Sequence, residues 1–155
     1  MANRFREAIE KGEFVVTCEM IPGRGAFETN QRHEYEVMKE IYATGRVDAI
    51  SITDCPSGNP AISSMAIGRY FKAEGITSLV HFTCKDRSRN EMQGQMYEMQ
   101  IEELENLLVM SGDIQNTGFE GAAIQTFDLD PVNTLRLINS MNEGLVVHGR
   151  KGDTR

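Results

Sequence analysis

Groups able to move protons or hold a polar ligand recur at the ends of apolar runs in this chain. "FVVTCEMI" (14–21) is apolar until Glu19 interrupts it, "AISIT" (49–53) ends on Thr53, "LVHFTC" (79–84) carries His81, and "NLLVMSGD" (106–113) ends on Asp113. Each has a bland reading. Glu19 alone reads equally as the last residue of a strand emerging into water, or as an acid in an apolar mouth that can donate a proton. His81 alone reads as a hydrogen-bonded core histidine, and with no second histidine at ligand spacing no metal site is expected. "SGD" (111–113) reads as a turn with a local cap, or as a nest of backbone N–H groups plus a carboxylate able to hold a phosphate or a heteroaromatic ring. "TDCPSGNP" (53–60) reads as a turn-rich loop.

Alternation decides between these readings, because successive side chains of a strand point to opposite faces. Val15, Thr17 and Glu19 alternate with Val16 and Cys18; Ala49, Ser51 and Thr53 with Ile50 and Ile52; Leu79, His81 and Thr83 with Val80, Phe82 and Cys84. In the last run Val109, Ser111 and Asp113 are set against Leu108 and Met110. One face is then small or polar and the other branched aliphatic. Glu19, Thr53, His81 and Asp113 are expected together on the polar face, at the C-terminal ends of successive parallel strands. Ligands bind α/β proteins there, where βα loops and helix N-termini open.

The elements that position them follow from periodicity. Strands are expected over 13–20, 47–53, 77–83 and 106–111, and helices over 30–44, 62–74, 89–104 and 130–143. A short amphipathic helix with Phe5, Ala8 and Ile9 on one face precedes them, stops at Gly12 and packs as a lid or plug. Gly45 and Gly75 follow their helices, and Asp130 with Pro131 opens the last one. Strand and helix alternating four times predict βαβ units on a parallel sheet. A doubly wound, flavodoxin-like sheet would require aliphatic side chains on both faces, which the small and polar face argues against. Met65, Met92, Met96, Met99 and Met110 read as core fillers, "EMQIEELE" (98–105) as a solvated helix face, and Cys18 and Cys84 as small buried hydrophobes.

A chain of 155 residues suits one domain, 1–155, with a core of its own. Its net charge of −7 and pI near 5.0 argue against a nucleic-acid or anionic-membrane partner, leaving a small molecule or a protein. Three widely spaced cysteines fit neither a disulfide framework nor a metal knuckle, and point to a reducing cytoplasm. "MANRFREAIEKG" lacks the apolar stretch of a signal peptide, and no run approaches a membrane span.

Five stretches in register, "FVVTCEMIPGRG", "VDAISITDCPSGNPAIS", "LVHFTCKDRSRNEM", "NLLVMSGD" and "FDLDPVNTLRLINSMNEG", resemble the methylenetetrahydrofolate reductase family. The resemblance implies a (β/α)8 TIM-type barrel with a flavin, FAD, across its C-terminal mouth. It implies hydride transfer from reduced flavin to the one-carbon unit of 5,10-methylenetetrahydrofolate, giving 5-methyltetrahydrofolate. By that resemblance Glu19 is the general acid that assists opening of the imidazolidine ring, and Asp113 contacts the pterin close to the flavin. Thr53, Asp54, His81, Ser111 and Gly112 fall at cofactor-site positions. Two of these depart from some family members: Ser111 stands where they carry arginine, and Asp54 where they carry an aromatic residue. Electrons would come from NAD(P)H or from a protein donor. A full barrel of this type needs roughly 250 residues, so the chain is expected to supply about four β/α units, a half-barrel. Closure is expected by self-pairing or by a second chain, and "NEGLVVHGRKGDTR" resembles the lead-in to strand five. The alternative is a non-catalytic half-barrel subunit that assembles with a partner.

Overall fold

The computed structural model describes residues 3–25, 29–115 and 123–144. The suggested lead-in to a fifth strand falls largely at 145–155, outside the described residues. The elements run α1 (Arg4–Lys11), β1 (Thr17–Met20), α2 (Thr29–Ala43), β2 (Ala49–Ile52), a 3-10 turn (Pro56–Gly58), α3 (Ser64–Ala73), β3 (Ser78–Thr83), α4 (Arg89–Ile101), β4 (Leu107–Met110) and α5 (Pro131–Glu143). The four strands form one parallel sheet in the order β1-β2-β3-β4.

Local chemistry sets the boundaries. The Asp130 side chain accepts the Asn133 N–H with Pro131 in the first turn of α5, and Ser88 accepts the Glu91 N–H to open α4. Gly12, Gly45 and Gly75 all have positive φ behind their helices, as their positions predict. β1 is shorter than expected. The Val16 N–H is taken by the Asp48 carboxylate (2.8 Å), and Phe14, 91 % exposed, stands clear of the core.

The aliphatic face carries the core. Ile50 and Ile52 are fully buried against α2 and α3 in a cluster with Met20, Tyr35, Ile67 and Phe71. Val80 packs with Met65, Met99 and Leu104, and Phe82 with Cys84 and Met92, joined by Leu137 of α5. Helix-borne residues of α2 to α5 therefore meet the same face of the sheet. A doubly wound fold would divide its helices between two faces; here they lie on one, an arrangement consistent with part of a barrel wall. Burying a side chain such as Phe71 contributes about 1.5–3 kcal/mol, so this face holds the other in place.

α1 lies at the opposite end from the strand C-termini. Asn3 reaches Glu105 and Asn106 before β4, and Arg4 donates to the Gly45 carbonyl before β2 while stacking over Tyr42. It therefore does not cover the strand C-termini as a lid would, and of its residues Ala8 alone is buried.

Candidate active site

The face away from the helices is built as the alternation predicts on three strands. Glu19 pairs in register with Ser51, and Ser51 with Leu79. His81 pairs with Leu108, and Thr83 with Met110. The middle of this face is buried (Ser51, Leu79, His81, Thr83), while Glu19 at one edge and Leu108 at the other are exposed. Ser51 Oγ lies 2.6 Å from His81 Nε2. Burial, the largest influence, pushes the His81 imidazole below its ordinary range; the Glu19 and Asp54 carboxylates pull the other way without reversing it. Burial thus favours the neutral form of the His81 imidazole. Thr53, one step past β2, donates its backbone N–H to the Met20 carbonyl (3.1 Å), and its Oγ1 is buried with no hydrogen-bond partner.

Strand four departs from expectation. The sequence pattern set Asp113 on the face of His81 through Val109 and Ser111, but Val109 and Leu107 pack with Phe82 on the helix side, and Leu108 and Met110 share the face of His81. Asp113 arrives by another route. The Ser111 carbonyl still accepts the Lys85 N–H (2.9 Å), and Gly112 then turns the chain at φ +89°, passing so close to Thr83 and Lys85 that a Cβ would lie 3.0 Å from each of theirs. Beyond it the Asp113 carboxylate accepts the Ser57 N–H (3.1 Å), and segment 113–115 lies flat on Gly58. The β2–α3 loop thus seats Asp113 at the C-terminal end of the sheet. That loop is conformationally costly: Cys55 and Ser57 both sit at positive φ, a condition that sites retain when surrounding contacts enforce it.

Asp54 is engaged by the protein itself. Its Oδ2 accepts the Thr83 N–H and hydroxyl at 2.9 Å each and Arg87 Nη1 at 2.6 Å, and its Oδ1 lies 3.3 Å from Arg87 Nη2. Burial alone would raise its pKa; the Arg87 hydrogen bond and charge, with the two Thr83 donors, outweigh it and hold the carboxyl below its ordinary range. Arg87 also donates to the Thr83 carbonyl and to Gln95, and lies over the Phe82 ring. Lys85, its side chain only 4 % exposed, donates to the Gly58 carbonyl and pairs with Asp86. Among the described residues no group of histidine, cysteine and acidic side chains has the arrangement of a metal site.

The structure thus brings Glu19, Thr53 and His81 to one face and places Ser111, Gly112 and Asp113 against the strand-three and β2-loop residues. Ser51, Lys85 and Arg87 are the members that sequence reasoning left out. Ser51 had the right alternation, and "KDR" (85–87) directly follows a strand, where the loops of this fold meet ligands.

A one-sided parallel sheet with an acid, an imidazole and an unpartnered hydroxyl toward the strand C-termini defines an α/β protein with a candidate site at that end. The chain belongs to the methylenetetrahydrofolate reductase family, whose profile matches residues 4–145. No curated protein matches it significantly. Membership supports an oxidoreductase of folate one-carbon metabolism.

Proposed function

We propose that this chain holds a flavin, FAD in the first instance, at the C-terminal end of its sheet and takes part in reducing 5,10-methylenetetrahydrofolate to 5-methyltetrahydrofolate. The observation that carries the reading is the family match across 4–145 together with Glu19, exposed at the end of β1, on the same face as His81. The residues present fit a flavin in one checkable respect: Thr53 Oγ1 is a buried hydroxyl with no partner on the chain, and a heteroaromatic ligand can complete it. Bound there, flavin would supply the hydride for the one-carbon unit. Thr53, His81 and the backbone at Ser111 and Gly112 would hold it. Asp54, already saturated by Arg87 and Thr83, would shape the site through that pairing rather than by offering a free carboxylate.

In this reading Glu19 gives a proton to the nitrogen that leaves the one-carbon unit as the imidazolidine ring opens, and Asp113 orients the pterin. Because Glu19 is exposed in the chain alone, the bound folate must itself exclude water from it. The electron donor in this proposal is NAD(P)H or a partner protein, and the setting is the cytoplasm; among the described residues no helix is long and apolar enough to cross a membrane. The outer edges of β1 and β4 have no strand partner among the described residues, which supports their being two seams of a barrel wall closed by further strands.

The test is titration of the native assembly with FAD, followed by assay of Glu19→Gln. Flavin binding unchanged and folate reduction lost is the expected pair of results. Full turnover in Glu19→Gln removes it from the mechanism, and absence of any flavin binding favours the non-catalytic assembly subunit.

A further inference from the structure

The Ser51–His81 contact joins β2 to β3 on the face away from the helices, and the proposed function leaves Ser51 without a task. Both residues are about 5–6 % exposed, and Ser51 Oγ stands 2.6 Å from Nε2. At that distance one of the two atoms carries the shared hydrogen. If Nε2 carried it, the buried serine hydroxyl would need a second acceptor for its own hydrogen, and among the described residues no other hydrogen bond of that hydroxyl is present. If the hydroxyl donates to Nε2, its hydrogen and the imidazole lone pair are satisfied together.

We propose that Ser51 is a positioning residue, whose hydroxyl donates to Nε2 of His81 and so locks the imidazole as the tautomer protonated on Nδ1. The backbone that carries the ring is tied as well: Ser64 of α3, itself buried, donates to the His81 carbonyl at 3.0 Å. The charged groups that act on the imidazole are Glu19 on β1 and Asp54 after β2, both carboxylates; β4 beside it, Leu107–Met110, carries none. A cationic imidazole would gain from those acids, but a Ser51 donor at Nε2 occupies the lone pair that protonation needs, reinforcing the neutral form. The consequence is directional. His81 offers an N–H donor, which selects a ligand atom with a lone pair, such as a heteroaromatic ring nitrogen or a carbonyl oxygen, over a group that donates. This use of the tautomer rests on the proposed ligand site; the tautomer itself does not.

The experiment is nitrogen-15 NMR of the histidine rings in the full chain, free of flavin and folate, with the signals of the three histidines assigned by His81→Gln. In the wild type, His81 is expected to show Nδ1 protonated and Nε2 bare across the neutral range. Ser51→Ala should give a mixture of both neutral tautomers and protonation at higher pH, because a bond favouring the neutral form is lost. Ser51→Thr, which keeps the hydroxyl, should restore the single tautomer. A wild-type ring protonated on Nε2 overturns the proposal, and so does a Ser51→Ala spectrum with the same tautomer and titration as the wild type. Should Ser51→Ala fail to fold, the wild-type tautomer decides alone. A chain with the expected tautomer that binds no flavin refutes the proposed function and leaves this inference standing.

Discussion

Removing Asp54 should expose how the mouth is held together. Its side chain is 4 % exposed and that of Arg87 13 %, so Asp54→Ala strands a nearly buried guanidinium. Breaking a buried pair from one side costs about 3–5 kcal/mol. Arg87 retains the Thr83 carbonyl and Gln95 Oε1 as acceptors, which sets the loss near the lower end, about 3 kcal/mol. Against a total stability on the order of 5–15 kcal/mol the variant stays folded, so urea unfolding at neutral pH can measure it by linear extrapolation. Adding Arg87→Met to Asp54→Ala removes the stranded charge and should recover part of the loss, with a coupling energy of about 2 kcal/mol or more. The pH dependence has a fixed sign. The folded carboxyl sits below its ordinary range, so its contribution is complete above the unfolded value of about 3.9 and fades as pH falls through the lower folded value. The gap between wild type and Asp54→Asn should therefore close in acid. Strictly additive single losses, or a cost for Asp54→Ala under about 1 kcal/mol, would refute the view that this pair straps β3 to the β2 loop.

Other perturbations test the seating of the site and its surroundings. Gly58→Ala places a Cβ 2.6 Å from the Asp113 carbonyl oxygen and the Gln115 nitrogen at a φ of +71°, so it should displace 113–115, destabilise the chain by about 1–3 kcal/mol and weaken folate binding, as Asp113→Asn is also expected to; unchanged affinity by calorimetry in both would refute the proposed contact of Asp113 with the pterin. The Asp128 carboxyl, held by the Arg89 side chain and backbone N–H, should titrate at about 2; in Arg89→Ala carbon-detected NMR should show it returning toward the ordinary carboxylate range, and no movement would mean that the ion pair is absent in solution.

The parts of this fold that could be read from sequence are those where the two faces of a strand differ in chemistry. "AISIT" alternates small or polar with isoleucine, and Ser51 and Ile52 sit where that alternation puts them. "LLVM" in β4 is apolar at every position, so nothing in its composition says which members face the helices. Only continuation of the strand to Asp113 would set its phase, and the turn at Gly112 breaks that continuation. Asp54 shows a second kind of limit. A carboxylate at the end of a strand reads as a ligand-binding group until its partners are known, and those partners lie 29 and 33 residues later in the chain. The place of Glu19 at the end of β1 needed no such partner to be read, because an acid interrupting an apolar run is visible locally.

The sheet order β1-β2-β3-β4 carries a consequence for how the molecule assembles and changes. Among the described residues every strand pairs with its neighbours in sequence, so each β/α unit can be added to a growing edge without waiting for a distant segment. Chain closure then spans one crossover at a time, which favours folding that spreads outward from the wholly buried β2 and β3. Amide exchange should accordingly be slowest at Ile50, Ile52, Val80 and Phe82 and faster along β1 and β4. Glu19 projects from one of those outer strands, so the acid role proposed for it would rest on an element of the sheet expected to open more readily than its centre.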